Sequence, residues 1–342
     1  MKILSIVIPT YNMEKYLDRC LTSLILPDAY MDMLEVLVIN DGSKDRSSEI
    51  AHNYESRYPG TFKVVDKENG NYGSCVNKGL ELATGKYFKI LDSDDWFATE
   101  NMPAFLEHLS NTEAELVFTK RLIHNADSDV ESHFPECLLP EKMISVAEFN
   151  ELEDKPYLNM HCMTFRMDVL RKCGLELQTG ISYTDTEYCY YPLKYVNTIS
   201  FFGTLIYHYD MARPGQTMSL DKLVHCIGDM AKVLARILDD RKQSDAACEQ
   251  KRIQTYYLKE VLKVFYSIAL TMCRKSKEND AVVRSVDERL AGDKELLTYT
   301  GALTVNRIHY VSLWRKFGVY NSDGCFRVYN SLYGKVKGEG VK

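Results

Sequence analysis

The chain has 342 residues and a mass of 39.4 kDa, with 45% hydrophobic and 26% charged residues and a formal net charge of −6. That is the balance of a soluble globular enzyme, long enough for one large domain or a domain with a substantial appendage. Charge is split along the chain: residues 1–220 carry 20 Lys+Arg against 33 Asp+Glu (net −13), and residues 221–342 carry 22 against 15 (net +7), an acidic body with a basic tail.

The first half alternates strand and helix. Residues 3–8 read as a strand, and residues 14–26 as an amphipathic helix with Tyr16, Leu17, Cys20, Leu21 and Leu24 on one face. Residues 34–39 form a second strand that ends in Asn40-Asp41-Gly42-Ser43, and a helix then runs from near Asp45 to Pro59-Gly60. Residues 62–66 are a third strand, followed by a glycine-rich loop and a helix to Ala83, with Gly85 where a helix-ending glycine belongs. Residues 86–91 are a fourth strand that delivers Asp92-Ser93-Asp94-Asp95-Trp96. Beyond Asn101 the pattern loosens: a strand over 115–119, loop-like sequence over 124–157, a helix over 184–195 and a strand over 205–209. Two long helical segments follow, at 221–241 and 250–275, with no internal repeat. Strands alternating with helices predict an α/β, Rossmann-like, mostly parallel sheet flanked by helices, with a helical C-terminal region.

In such sheets ligands bind at the carboxyl ends of the strands. Four strand ends here carry suggestive residues. Pro9-Thr10-Tyr11-Asn12 offers an aromatic ring for a base, and Asp41 offers a carboxylate to a nucleobase or ribose. The loop Glu68-Asn69-Gly70-Asn71 lets backbone approach a ligand closely. Asp92 and Asp94 alternate along an extended chain and would face one site together. Two hard oxygen ligands there suit Mg²⁺ or Mn²⁺ carrying a substrate's phosphates. Alone, an Asp-Gly is a turn and an Asp-x-Asp a solvated helix cap; four in order on one sheet edge argue for a site.

The text Ser5-Ile6-Val7-Ile8-Pro9-Thr10-Tyr11-Asn12, Val38-Ile39-Asn40-Asp41-Gly42-Ser43, Glu68-Asn69-Gly70 through Asn77-Lys78-Gly79, Ala83-Thr84-Gly85-Lys86-Tyr87 and Leu91-Asp92-Ser93-Asp94-Asp95 resembles the inverting family-2 glycosyltransferases with the GT-A fold. Weaker resemblance reaches about residue 220, through Tyr183-Thr184-Asp185-Thr186-Glu187-Tyr188. It implies a catalytic domain over 1–220, with a nucleotide-sugar half (1–100) and an acceptor half (101–220), and a mainly helical region over 221–342. It implies that Tyr11 stacks on uracil, Asp41 reads the uridine, Asp92 sits near ribose and metal, Asp94 ligates the metal and Asp185 is the general base. Pro9, Thr10, Asn69, Gly70, Asn77, Lys78, Ser93 and Arg213 complete the expected donor site. His208 is a candidate third metal ligand, and a structural histidine in a strand is as good a reading. His161 is expected in the core rather than at the acceptor. Val76 stands where the family commonly has a basic residue, which leaves the diphosphate charge to the metal, Lys78 or Arg213.

The expected reaction is metal-dependent (Mn²⁺ or Mg²⁺) transfer of a sugar from a UDP-sugar to a saccharide or lipid-linked acceptor in cell-surface polysaccharide synthesis. The competing readings are a sugar nucleotidyltransferase and a nucleotide-sugar-binding protein without turnover. A dinucleotide oxidoreductase is disfavoured, since no Gly-x-Gly-x-x-Gly follows the first strand. The ten cysteines include no Cys-x-x-Cys pair and suit reduced thiols in a cytosol. No signal peptide follows residues 3–8, and the most apolar segment, residues 264–273, is half the roughly twenty residues that span a bilayer. Residues 307–342 carry seven Lys/Arg against two Asp/Glu among aromatics, which suits peripheral contact with the inner face of an anionic plasma membrane, though packing of these aromatics onto the catalytic domain or a second subunit is the slightly better reading. Twenty-three tyrosines suit grooves or an interface with a second copy, and no nucleic-acid partner is expected.

Overall fold

All seven residues of the first strand, β1 (Leu4–Thr10), are buried, as in a strand covered on both faces. The computed structural model describes residues 2–135, 142–212, 219–305, 307–318 and 320. It comprises two units, Met1–His124 with Glu131–Asp210, and Asn125–Val130 with Met211–Lys342.

In the first unit, β1 is followed by α1 (Leu17–Thr22), α2 (Asp28–Met31), β2 (Leu34–Asn40), α3 (Ser47–Arg57), β3 (Phe62–Asp66), α4 (Asn71–Leu82) and β4 (Tyr87–Ile90). Then come β5 (Trp96–Phe97), α5 (Met102–Asn111), β6 (Leu116–His124), β7 (Asp129–Glu131, of which only Glu131 falls in this unit), β8 (Met143–Ser145), α6 (Val146–Glu151), β9 (Met163–Arg166), α7 (Met167–Cys173), α8 (Asp185–Tyr190) and β10 (Thr198–Asp210). Strand order is β3-β2-β1-β4-β9-β6-β10-β5. The pairs β1–β2, β2–β3 and β1–β4 are parallel, while β9 runs antiparallel to both β4 and β6. The chain moves outward from β1 through β2 to β3 and then returns to β1's other side as β4. The crevice beyond the carboxyl ends of β1 and β4 is therefore a topological switch point, where ligands bind in such sheets.

Leu4, Ile6, Ile8, Val36, Val38, Leu17, Leu21 and Phe105 form one apolar cluster on the sheet, each contributing about 1.5–3 kcal/mol by burial. Glycine sets how closely α4 lies on β1, because a Cβ on Gly79 would sit 2.4 Å from Val7. Gly85 does not end a helix. Its Cβ would lie 2.6 Å from the Ser5 backbone nitrogen, so close strand approach requires the glycine. Val76 is fully buried on α4, a position where a basic side chain would be stranded.

The second unit is helical: α9 (Leu220–His225), α10 (Ile227–Gln243), α11 (Cys248–Ser267), α12 (Lys277–Asp287), α13 (Lys294–Gly301) and α14 (Tyr310–Phe317). The helix expected over 221–241 is interrupted at Cys226, and α11 passes into a π-helical turn at Ile268–Met272. The C-terminal aromatics expected at a membrane are partly used inside this unit. Trp314 is buried and donates to Asp280 (3.0 Å), and Arg315 pairs with Asp287 (2.7 Å). Phe317 remains 61% exposed, and Phe326, Tyr329 and Tyr333 lie outside the described residues. No helix among the described residues is long and apolar enough to cross a membrane.

Candidate active site

The loops after β1 and β2 are latched to each other. The Asn12 backbone N–H donates to Ser43 Oγ (3.0 Å), the Lys44 N–H to Asn12 Oδ1 (2.7 Å), and the Glu14 N–H to Asp45 Oδ2 (3.0 Å). Asn12 holds a left-handed conformation (φ 55°) to allow this, a conformation asparagine tolerates better than most residues. Pro9 and Thr10 are buried in β1, and the chain emerges at Tyr11, 47% exposed.

Asp41 is not free to read a ligand with its whole carboxylate. It accepts from Lys67 Nζ, from the Gly70 N–H (2.9 Å) and from the Asn71 N–H (2.9 Å) at the start of α4. Asn69 Nδ2 donates to its carbonyl (3.0 Å). A carboxylate accepts about four hydrogen bonds, so Asp41 chiefly fixes the Lys67–Asn71 loop. The side chains of Asn77 and Lys78 are also engaged away from the acidic segment. Asn77 makes a two-way pair with the Leu177 backbone (2.9 and 2.8 Å), and Lys78 pairs with Glu81 (2.8 Å).

The acidic segment is a turn, not an extended run: the Asp95 N–H donates to the Asp92 carbonyl (3.0 Å). The alternation expected of Asp92 and Asp94 therefore does not hold. Asp95 and Ser93 are buried. Asp95 accepts from the Tyr207 hydroxyl (2.7 Å) and the Asp210 N–H (2.8 Å), tying the turn to β10. Burial, then the charges of Asp94 and Asp92, push its carboxyl far above the ordinary range. Arg19 supports the turn from the other side, donating to the Asp94 carbonyl (2.7 Å) and pairing with Asp210 (2.8 Å) over the Trp96 ring.

His208 points to the other face of β10 from Asp95 and His161. Side chains alternate along β10: Tyr207 turns to Asp95 and Tyr209 stacks on His161 (4.3 Å), while His208 between them stacks on Trp96 (5.0 Å) and meets His124 at 2.9 Å. Among the described residues, the group whose ligand atoms lie within 4.8 Å of one another is Asp92, Asp95 and His161. His161 was expected in the core, and strand pairing that cannot be read locally carries it to the site. Burial, then Arg121 and Lys89, pushes its pKa well down. Arg213 lies outside the described residues.

Asp185 arrives on the first turn of α8. The loop before it is clamped to α4. Glu187, fully buried, accepts from the Gln178 N–H (2.7 Å) and Gln178 Nε2 (2.9 Å), the Gly180 N–H donates to the Gly70 carbonyl (2.9 Å), and a Cβ on Gly73 would lie 2.0 Å from the Gln178 carbonyl oxygen. The Tyr72 hydroxyl, 3.1 Å from Asp92 Oδ1, senses the charges of both Asp92 and Asp185. Burial, then the Asp92 charge, pushes the Asp185 carboxyl up to about 6. Nothing in the local sequence marks Tyr72, Arg19 or Arg121 as neighbours of this site.

Residues 5–174 match the sequence model of the family described as Glycosyl transferase family 2. Over 223 residues the chain is 27% identical to EpsH of Bacillus subtilis, named for glycosyltransferase activity, covering 60% of each chain. Over 109 residues it is 38% identical to an uncharacterized glycosyltransferase of Mycoplasma pneumoniae, covering 31% of this chain and 36% of that one. The chain thus spans between about a third and three-fifths of the length of these relatives. Among solved structures, S. aureus TarS in complex with UDP-GlcNAc matches with a TM-score of 0.66 at 18% identity, over 98% of this chain and 92% of that chain. That likeness identifies the fold as GT-A type.

Proposed function

The chain belongs, over residues 5–174, to glycosyl transferase family 2, and from that premise we propose that it transfers a sugar from a UDP-sugar to an acceptor hydroxyl by a metal-dependent, inverting, single displacement. The observation that carries this reading is the convergence of Asp185, from the far half of the unit, and Asp92, at the end of β4, on the Tyr72 hydroxyl, 3.1 Å from Asp92 Oδ1, with burial and then the Asp92 charge raising the Asp185 carboxyl to about 6. A carboxylate with a pKa near neutrality is suited to remove a proton from an attacking hydroxyl. The UDP-GlcNAc bound to TarS, together with exposed Tyr11 at the end of β1, favours a uridine donor.

The donor set fits a hard divalent cation. Three carboxylates occupy four residues, and the charges of Asp94 and Asp92 raise the pKa of Asp95, a repulsion that a cation would relieve. Asp92 and Asp94 would hold it, with Asp95 retained by Tyr207 and the Asp210 backbone. When bound, such an ion neutralises charge on a diphosphate leaving group. Tyr11 would carry the base, the Asp41-fixed loop Lys67–Asn71 would lie beneath the nucleotide, and Asp185 would take the acceptor proton from the opposite side. The acceptor is proposed to be a saccharide or a lipid-linked saccharide.

A panel of UDP- and GDP-sugars assayed with Mn²⁺ or Mg²⁺ tests this reading. Turnover of a uridine donor, lost in excess chelator and giving a product of inverted anomeric configuration, is expected. A product that retained the donor's configuration would overturn the single displacement.

A further inference from the structure

The grouping of Asp92, Asp95 and His161 has the composition of a metal centre, yet its imidazole is turned the wrong way for one. Arg121 Nη1 lies 2.8 Å from His161 Nδ1. A guanidinium has donors and no acceptor, so Nδ1 must accept, and the neutral ring carries its hydrogen on Nε2. A nitrogen bearing hydrogen has no lone pair in the ring plane to give a cation. Metal-bound imidazoles donate their second N–H to a carboxylate or carbonyl, whereas the partner here is itself a donor. The ring is also fixed in place. It stacks on Tyr209 (4.3 Å), meets Tyr207 edge-on (4.7 Å), and its backbone carbonyl accepts from buried Lys89 (2.8 Å).

Nε2 lies 3.7 Å from Asp92 Oδ2, while the Tyr72 hydroxyl lies 3.1 Å from Oδ1. Asp92 thus has a neutral donor beside each oxygen. A gap of 3.7 Å exceeds a hydrogen bond, and such contacts are often long in ligand-free sites and tighten when substrate is bound.

We infer that His161 is a positioning residue: with its tautomer set by Arg121, it uses an Nε2–H to orient Asp92 and does not ligate the metal. The role in orienting Asp92 rests on the reading of Asp92 given under Proposed function, while the tautomer itself is independent of any turnover. Asp92 can in this way be aimed at the ion by two uncharged groups that add no repulsion to it.

Long-range ¹H–¹⁵N spectra of the full chain labelled with ¹⁵N-histidine test the tautomer in metal-free protein, with His161 assigned among the eight histidines by its loss in His161→Gln. A proton-free Nδ1 and a protonated Nε2 are expected, unchanged when Mg²⁺ and UDP are added. A protonated Nδ1, or an Nε2 that loses its hydrogen on adding Mg²⁺ and UDP, would overturn the proposal. Substitution reads the second half. The Gln amide nitrogen can take the place of Nε2, and the Asn amide nitrogen reaches only the place of Nδ1. His161→Asn should lower kcat by about tenfold to a hundredfold with little change in donor KM, and His161→Gln should recover most of the loss. Equal loss in both would remove the positioning role. If neither variant folds, His161 is assigned in the unmodified chain by its NOE contacts to the Tyr207 and Tyr209 rings, and its spectrum still decides the tautomer. Failure to transfer any sugar, with the tautomer as stated, would count against the glycosyltransferase reading alone.

Discussion

Asp41 and Asp92 both follow a buried strand of the same parallel sheet, one beyond β2 and one beyond β4, and their surroundings differ completely. At Asp41 the N-terminus of α4 and Lys67 converge on the carboxylate, so its charge is answered within the fold. At Asp92 the neutral Tyr72 hydroxyl and His161 lie beside the two carboxylate oxygens, and the charge is felt at Asp95, Asp185 and Tyr72, whose pKa values all rise in part because of it. One strand end is a latch and the other is a concentration of negative charge. The sequence chemistry is similar; the convergence of backbone N–H groups decides the role.

The comparison is broken most sharply at Asp185. Asp185→Asn should lower kcat by about a hundredfold to ten-thousandfold, the usual range for a lost general base. UDP affinity should stay close to normal, since the donor-side residues come from other strand ends. Near-normal turnover by this variant would remove Asp185 from the chemistry. Asp94→Ala should come next, nearly abolishing transfer and weakening metal-assisted donor binding. Calorimetric titration of UDP with and without Mn²⁺ separates the two effects: the variant should lose the metal-dependent increment and keep the metal-free affinity. Glu187→Gln should affect turnover less, because Glu187 is buried against Gln178 and holds a loop.

How much of this was legible beforehand follows a physical line. The parallel strands β1 to β4 and their acidic or aromatic ends could be read because apolar runs and turn residues are local signals. The ordered motifs point to Asp185 and Asp94 as well. What could not be read depends on pairing between distant strands. His161 reaches the site through β9 beside β6, and the alternation of β10 turns His208 to Trp96 and His124 instead of to Asp95 and His161. Asn77 looked like a ligand residue and clamps Leu177 instead, a partner a hundred residues away that no local pattern reveals. The turn at Asp92–Asp95 likewise replaces an alternation inferred from an extended chain.

A smaller effect sharpens the latch side. Gly73→Ala would place a methyl 2.0 Å from the Gln178 carbonyl oxygen, a backbone atom that must move with the loop leading to Asp185. Overpacking of this kind costs about 1–3 kcal/mol. Denaturant unfolding should show that loss, and kcat should fall further than donor affinity. A variant of unchanged stability would mean that the loop yields freely and that the clamp does not position Asp185.

The smallest effect concerns pH, and its sign follows from Asp185. The ordinary carboxyl value is 3.8 and the folded value about 6, so the fold disfavours the charged form. Below the ordinary value the group is protonated in both folded and unfolded chains and contributes nothing. Between there and about 6 the unfolded chain gives up its proton first, and a penalty to stability builds that is complete above about pH 6. Asp185→Asn removes that penalty, so the variant should melt at a higher temperature than the unmodified chain at neutral pH, and the gap should shrink as the pH falls towards 4. Activity should run the other way. With metal and donor held saturating, the cation on Asp92 offsets part of that shift, so turnover of the unmodified chain should decline as pH drops through a value below about 6, because the base becomes protonated. A metal-free melting series in which the variant gained nothing at neutral pH would show that neither burial nor the charge of Asp92 raises the Asp185 carboxyl, and the contrast between the two strand ends would lose its reactive half.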